Sequence, residues 1–504
     1  MKKTLGILII LCLLFAFVTM AVSAKEQSKG NQLYFKGASL EKQGSYIEAG
    51  KAYKEAMDWF IKNKEERKAD FAHLKIIQMK RIVLEYPFTR QEADKMLKEV
   101  FKGFSQEQIN EILADVKLDH LVIGGKSYYF HGFLDNIYYR YPELRKYFPE
   151  NIKKMREFSD MYKSYFLNQL PSVYELQKWN SFVSPLSYLA KFSINIPHKK
   201  FPKKGTLKIW VPAPIQTACQ QNVKTTAITP QEYLKSAPHT DEDIGIAYFE
   251  IPLEELTKDI DIELTYSFDH YEQYFRLDPN NLGLYNSKTQ LYGTYTGYTK
   301  NICPGQEVKD KALKIVGDEK NPYLRAKKIY DYIIDNVSYS YTPHVYLDQL
   351  NISETAFVLK NNFGDCGAQS MYFAALCRSL GIPARATGGM LLTPGKPSTH
   401  FWAEFYVPSY GWIPVDTTIV DALLASDSLT PAEKKKAREY YFGGMDPYRM
   451  VIQSDVDISL SPLERTTPIF STTFQTPRAE CLEMQEDPNY IILEGFKTEI
   501  TPLY

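Results

Sequence analysis

Cys366, His400 and Asp416 are the residues whose types and surroundings point most directly to chemistry. The first lies in Asn361-Asn362-Phe363-Gly364-Asp365-Cys366-Gly367-Ala368-Gln369-Ser370, the second in Thr399-His400-Phe401-Trp402-Ala403-Glu404, the third in Gly411-Trp412-Ile413-Pro414-Val415-Asp416. A thiol, an imidazole and a carboxylate are the parts of a nucleophile, its base and the group that orients the base. Together they would attack a carbonyl through sulfur and carry a proton from the thiol to a leaving group.

Each residue needs an element to position it. Gly364 and Asp365 suit a turn and a helix start, and Ala368, Met371, Ala375 and Ser379 recur at helical spacing until Gly381 and Pro383 end the run. Cys366 is therefore expected in the first turn of a buried helix, where unpaired N–H groups and the positive dipole end favour thiolate over thiol. The same N–H groups would donate to an oxyanion on the attacked carbonyl. His400 to Val407 reads as a strand, Pro408-Ser409-Tyr410-Gly411 as a turn, and Trp412 to Asp416 as a second strand. With Tyr406 paired to Tyr410 across a three-residue loop, His400 falls directly opposite Asp416 on one face.

Blander readings exist for each residue alone: a structural cysteine, a satisfied strand histidine, an aspartate that caps a helix. Their joint occurrence in these contexts favours the triad. A metal site from Cys366, Cys377 and His400 is disfavoured, since eleven helical residues separate the two sulfurs by roughly 16 Å.

Gly-Asp-Cys-Gly, Arg-Ser-Leu-Gly-Ile-Pro-Ala-Arg at 378–385, His-Phe-Trp-Ala-Glu-Phe-Tyr-Val and Gly-Trp-Ile-Pro-Val-Asp occur in that order. Over about residues 320–420 this pattern resembles the transglutaminase-like, papain-fold core. The resemblance implies Cys366, His400 and Asp416 as the triad, on a helix and two strands of an antiparallel sheet. Thr417 follows Asp416 where many relatives have proline.

A chain of 504 residues holds two or three domains, and 44% hydrophobic residues suffice for real cores. Lys and Arg balance Asp and Glu at 60 each, without a basic tract, which speaks against a nucleic-acid partner. Met1-Lys2-Lys3, an apolar run from Leu5 to about Val22, and Val22-Ser23-Ala24 have the form of a signal peptide over 1–24. That predicts export to the periplasm, cell envelope or medium, with an uncleaved anchor as the alternative and no other integral membrane domain. Cys219, Cys303, Cys366, Cys377 and Cys481 remain beyond the signal, an odd number that leaves at least one thiol unpaired.

The expected architecture is α+β: a helical domain over 25–180, a β-sheet domain over 183–275, a connector over 276–320 and the catalytic domain over 321–504. Leu33, Gly37, Leu40, Gly44, Tyr46, Ala49, Tyr53 and Ala56 have the spacing of one tetratricopeptide-type hairpin. Further helices are expected at about 64–84 and 89–101, and residues 105–180 read as mostly helical around a turn at Ile123-Gly124-Gly125-Lys126. Alternation at Phe192–Ile196, Leu207–Val211 and Ile260–Tyr266 marks the sheet region. Its position before the core resembles the β-rich module that accompanies many transglutaminase-like enzymes. Strands are also expected at Met450–Ile452 and Val456–Ile458.

Tyr339 and Tyr341, upstream of Cys366, are either a second oxyanion donor or packed core residues. The predicted activity is acyl transfer from a peptide or glutamine carboxamide through a thioester, to water in a peptidase or amidase and to an amine in a cross-linker. A non-catalytic transglutaminase-like module binding envelope proteins or peptides is the alternative. No nucleotide loop, zinc spacing or calcium loop appears, so no cofactor is expected.

Overall fold

A computed structural model describes residues 28–115, 119–168, 181–275, 277–393, 397–463, 473–484 and 486–503, so the signal-like stretch and Cys12 lie outside the described residues. The first three helices are Lys29–Lys42, Tyr46–Lys62 and Glu66–Glu85. Gly37 lies against the Tyr53 ring and Gly30 against Trp59 and Phe60, where a Cβ would collide, so small residues set the approach of the first two helices. Helices Arg90–Val100 and Gln106–Asp115 follow. At the second, Ser105 and Gln108 exchange cap hydrogen bonds. The segment expected to be mostly helical instead contains a β-hairpin, His120–Ile123 on Lys126–Tyr129, to which Phe88–Thr89 adds. Gly124 and Gly125, both at positive φ, make the two-residue turn that joins its strands. Helices Phe133–Arg140 and Pro149–Asn168 complete this layer.

The β region consists of two sheets over one core, which includes Phe192, Ile194, Leu207, Trp210, Phe249, Ile262 and Leu264. Phe182–Ile196 and Ile260–Tyr274 pair antiparallel over their length, flanked by Gln220–Thr229 and Phe496–Leu503. Thr206–Ala213 and Gly245–Pro252 form the centre of the second sheet, with Arg478–Glu480 on one edge. The strands Arg478–Glu480 and Phe496–Leu503 thus return to the β region, whereas the sequence reading assigned 421–504 whole to the catalytic domain. Their alternation is short and their partners lie hundreds of residues back, which local patterning does not reveal.

The remaining core surrounds the helix Cys366–Ser379, of which every residue from Gly367 to Arg378 is buried. It packs on the antiparallel sheet Gly411–Val415, Ser398–Val407, Ala384–Leu391, Arg449–Gln453, in that spatial order. Helices Gln306–Val316, Pro322–Asn336, Glu354–Asn361 and Thr417–Ala425 enclose it. The first of these lies in the expected connector: Val308, Ala312 and Val316 form a single buried stripe into the core. Gly389 is required where the Ala384–Leu391 strand crosses its neighbour, since a Cβ there would strike the Met450 carbonyl, and the register shifts at the same point. Val456–Ile458 is not a strand; Asp457 takes a positive φ and accepts hydrogen bonds from Asn301.

Candidate active site

Cys366 opens its helix, and Asp365 caps it, Oδ1 accepting from Ala368 N at 3.0 Å. The approach is fixed by a short parallel pairing of Ser338–Tyr339 with Phe363–Gly364, placing Tyr339 opposite Gly364. The backbone N–H groups of Phe401 and Gly367 favour the charged form of the sulfur. Since Phe401 follows His400, the sulfur lies against the strand that carries the imidazole.

His400 Nε2 and Asp416 Oδ2 are 2.8 Å apart, both residues buried. The hairpin that brings them together differs by two residues from the expected register. Tyr406 pairs with Trp412 and Val407 with Gly411, because Pro408 and Ser409 form a turn closed by Tyr410 N on Val407 O. Ser409 and Gly411 both take positive φ. A shift of two preserves the face, so Asp416 meets His400 on the diagonal rather than directly across. Asp416 also caps the helix Thr417–Ala425, Oδ1 accepting from Ile419 N at 3.0 Å. The cap and the orienter are therefore one carboxylate. Gln475 Nε2 donates to the carbonyls of His400 and Gly389, tying down the strand from the other side.

The third partner of Asp416 has no counterpart in the sequence reading. Arg449, fully buried, donates from Nη1 to Asp416 Oδ2 at 2.8 Å and from Nη2 to Asp446 Oδ2 at 2.9 Å, with its guanidinium 5.0 Å from the Trp402 ring centre. Burial works to raise the Asp416 carboxyl, but His400 and Arg449 outweigh it and hold it at about 2. The carboxylate is ionised throughout the neutral range. An arginine in a strand reads as an edge or surface residue, and nothing in its spacing announced this role.

Cys366 itself departs from expectation. Burial raises its thiol, the Asp365 carboxylate adds to the rise, and the Phe401 and Gly367 N–H groups only partly oppose it. Helix position alone thus does not make a thiolate here, because partial burial and the neighbouring carboxylate cost more than one dipole end returns. The proton must leave to a base. Cys366 and His400 line one cleft of about 910 Å³ together with Tyr339, Tyr341, His344 and Asp365. No hydrogen bond joins sulfur and ring, so proton transfer calls for a side-chain rotation or a bridging water. Tyr139, Arg145, Lys154 and Phe158 of the helical layer also line the cleft.

All five described cysteines are free thiols. Among the described residues no group of three or more His, Cys, Asp or Glu is placed to hold a metal ion, and no helix is long and apolar enough to cross a membrane.

Comparison with known proteins shows what the segment around this site is similar to. Residues 309–417 match the family model of the transglutaminase-like superfamily. An uncharacterized protein of Haemophilus influenzae is 28% identical over 211 residues, which is 37% of this chain and 56% of that protein, so the match spans little more than half of the relative. A solved Cytophaga hutchinsonii chain described as a candidate cysteine protease has 16% identity and a TM-score of 0.40, covering 64% of this chain and 92% of that one. The periplasmic domain of TgpA from Pseudomonas aeruginosa has 12% identity and a TM-score of 0.24, covering 53% of this chain and 100% of that one. Likenesses at this level leave the chemistry to be argued from the chain's own residues. The segment 309–417, which contains Cys366, His400 and Asp416, is thus similar to the transglutaminase-like superfamily core.

Proposed function

We propose that the chain is a thiol enzyme that transfers the acyl group of a peptide or glutamine carboxamide through a thioester on Cys366. His400, held through Nε2 by Asp416, keeps Nδ1 to accept the sulfur's proton. Sulfur then bonds to the carbonyl carbon, and the oxyanion is met by N–H groups at the start of the Cys366–Ser379 helix. The tetrahedral intermediate collapses as His400 returns the proton to the departing amine, leaving the thioester. Water or a second amine, deprotonated by His400, resolves it and frees the thiol. The observation that carries this reading is the 2.8 Å His400–Asp416 pair in the cleft that also contains Cys366.

Hydrolysis ranks first because water needs no acceptor subsite. The substrate is a protein or peptide, and the setting is exported, in keeping with the charged start and apolar run at 1–24. A non-catalytic module that binds envelope proteins or peptides is the second reading, favoured by the raised Cys366 thiol. One experiment separates them: a glutamine-containing protein is incubated with the full chain and a dansyl-amine, scoring label incorporation and peptide cleavage. Either product, lost in Cys366→Ala with unchanged thermal unfolding, supports the enzyme. Activity that survives in Cys366→Ala refutes the thioester mechanism.

A further inference from the structure

His344 lies outside the triad, yet each of its ring nitrogens meets a carboxylate: Nδ1 is 2.7 Å from Glu354 Oε1, and Nε2 is 2.7 Å from Asp365 Oδ2. A neutral imidazole donates from one nitrogen only, so a ring with an acceptor on both sides is held as the imidazolium. Burial works against that charge, and Glu354 and Asp365 overcome it, keeping the ring's pKa well above the ordinary histidine range. The same bond acts in reverse on Asp365: burial raises its carboxyl, and His344 with the Ala368 N–H brings it below the usual range.

Titratable groups face His344 from several sides. Glu85, from the Glu66–Glu85 helix, accepts from Val345 N at 3.1 Å and Tyr346 N at 2.9 Å and feels both His344 and Glu354. His131, in the loop that precedes the Phe133–Arg140 helix, is held down by burial and in part by His344. On the far side stands Cys366, whose ionisation Asp365 opposes. An ionised carboxylate one residue from the nucleophile is a liability unless a cation cancels it.

We propose that His344 is a positioning residue for Cys366: clamped between Glu354 and Asp365, it cancels the Asp365 charge beside the sulfur and fixes the Asp365 rotamer that caps the nucleophile's helix. This deepens the reading of Cys366 as the nucleophile and rests on it. His344 makes no bond to substrate in this role; it sets how readily the thiol gives up its proton.

The test is the rate of iodoacetamide alkylation of Cys366 in the full chain, followed by mass spectrometry of its peptide from about pH 5 to about pH 10 with thermal unfolding in parallel. In His344→Gln the alkylation midpoint is expected to rise by about one pH unit, slowing labelling roughly tenfold at neutral pH. Adding Asp365→Asn, which removes the charge and keeps a capping oxygen, is expected to return the rate to within about twofold of the starting protein. A midpoint unmoved in folded His344→Gln overturns the proposal. So does a shift that Asp365→Asn fails to reverse, because a packing role has no reason to respond to charge. Where His344→Gln does not fold, Asp365→Asn alone decides: with Oδ1 kept on the Ala368 cap it turns an amide NH2 toward His344 Nε2, so the ring gives up its charge together with the carboxylate and the midpoint must stay within about half a pH unit of the starting protein's, a larger shift in either direction overturning the proposal. Alkylation needs no substrate, so this outcome is distinct from failure of the acyl-transfer reading, which shows as activity retained in Cys366→Ala.

Discussion

Removing the charge of Asp416 tests why the orienter here is a carboxylate. An amide can hold a catalytic imidazole in place, as Cys-His-Asn enzymes demonstrate. Asp416→Asn preserves the shape and one acceptor for His400, but it presents Arg449 with a weaker partner in a site from which water is excluded. Holding the carboxyl at about 2 instead of its ordinary 3.8 corresponds to about 2 kcal/mol of preference for the charged form. Breaking a buried pair costs about 3–5 kcal/mol, and Asp446 still shares the guanidinium, so Asp416→Asn belongs near the lower end. Arg449→Met leaves two buried carboxylates without their common cation and belongs near the upper end. The combined variant is then less destabilised than the sum, by about 2 kcal/mol of coupling. Urea unfolding followed by tryptophan fluorescence and by circular dichroism measures each corner of the cycle, the comparison being valid where the two probes coincide. Additivity to within about 0.5 kcal/mol would refute the claim that Arg449 is what requires an anion at position 416.

Two further outcomes follow from neighbouring groups. Tyr339, whose hydroxyl is raised by burial and by the Cys366 charge, is held opposite Gly364 by the short parallel pairing before the nucleophile, whereas Tyr341 lies beyond that pairing. Tyr339→Phe is therefore expected to lower kcat about a hundredfold with KM little changed, and Tyr341→Phe to lower it less; equal, small effects would assign both rings to packing. Glu85 is buried and raised to about 7, burial outweighing the Tyr346 and Val345 N–H groups. A carboxyl that binds its proton more tightly in the folded state favours folding most below its unfolded value of 4.5. That contribution shrinks as pH rises to about 7, by roughly 3 kcal/mol. Glu85→Gln should flatten the stability profile across that window, and a slope that persists in the variant would place its origin elsewhere.

The helix that begins at Cys366 was legible because its signals are local: a cap at Asp365, a run of buried small and apolar residues, and a stop at Gly381 and Pro383. The hairpin was legible as a hairpin but not in its register. Pro408 allows the turn to open at either Tyr406 or Val407, and only the backbone conformation of Ser409 and Gly411 decides. The face survived because both alternatives differ by an even number. The Gln306–Val316 helix was hidden by a different cause: its stripe is only Val308, Ala312 and Val316, too thin to stand out beside the aromatic, glycine-rich residues before it.

What the sequence withholds most completely is charge compensation. Arg449 and His344 lie 33 residues after Asp416 and 21 before Asp365, in segments whose patterns describe a strand and a short helix. Yet each decides a protonation state at the site. Arg449 joins His400 in keeping Asp416 anionic against burial, and His344 answers the carboxylate that helix capping puts beside the thiol. Capping favours an acid at position 365, while a sulfur nucleophile disfavours one, so the two local demands conflict within adjacent residues. A cation from outside the motif resolves the conflict without removing either. Buried charge of this kind leaves no periodicity to read, since it is specified by where chain segments meet and not by their order.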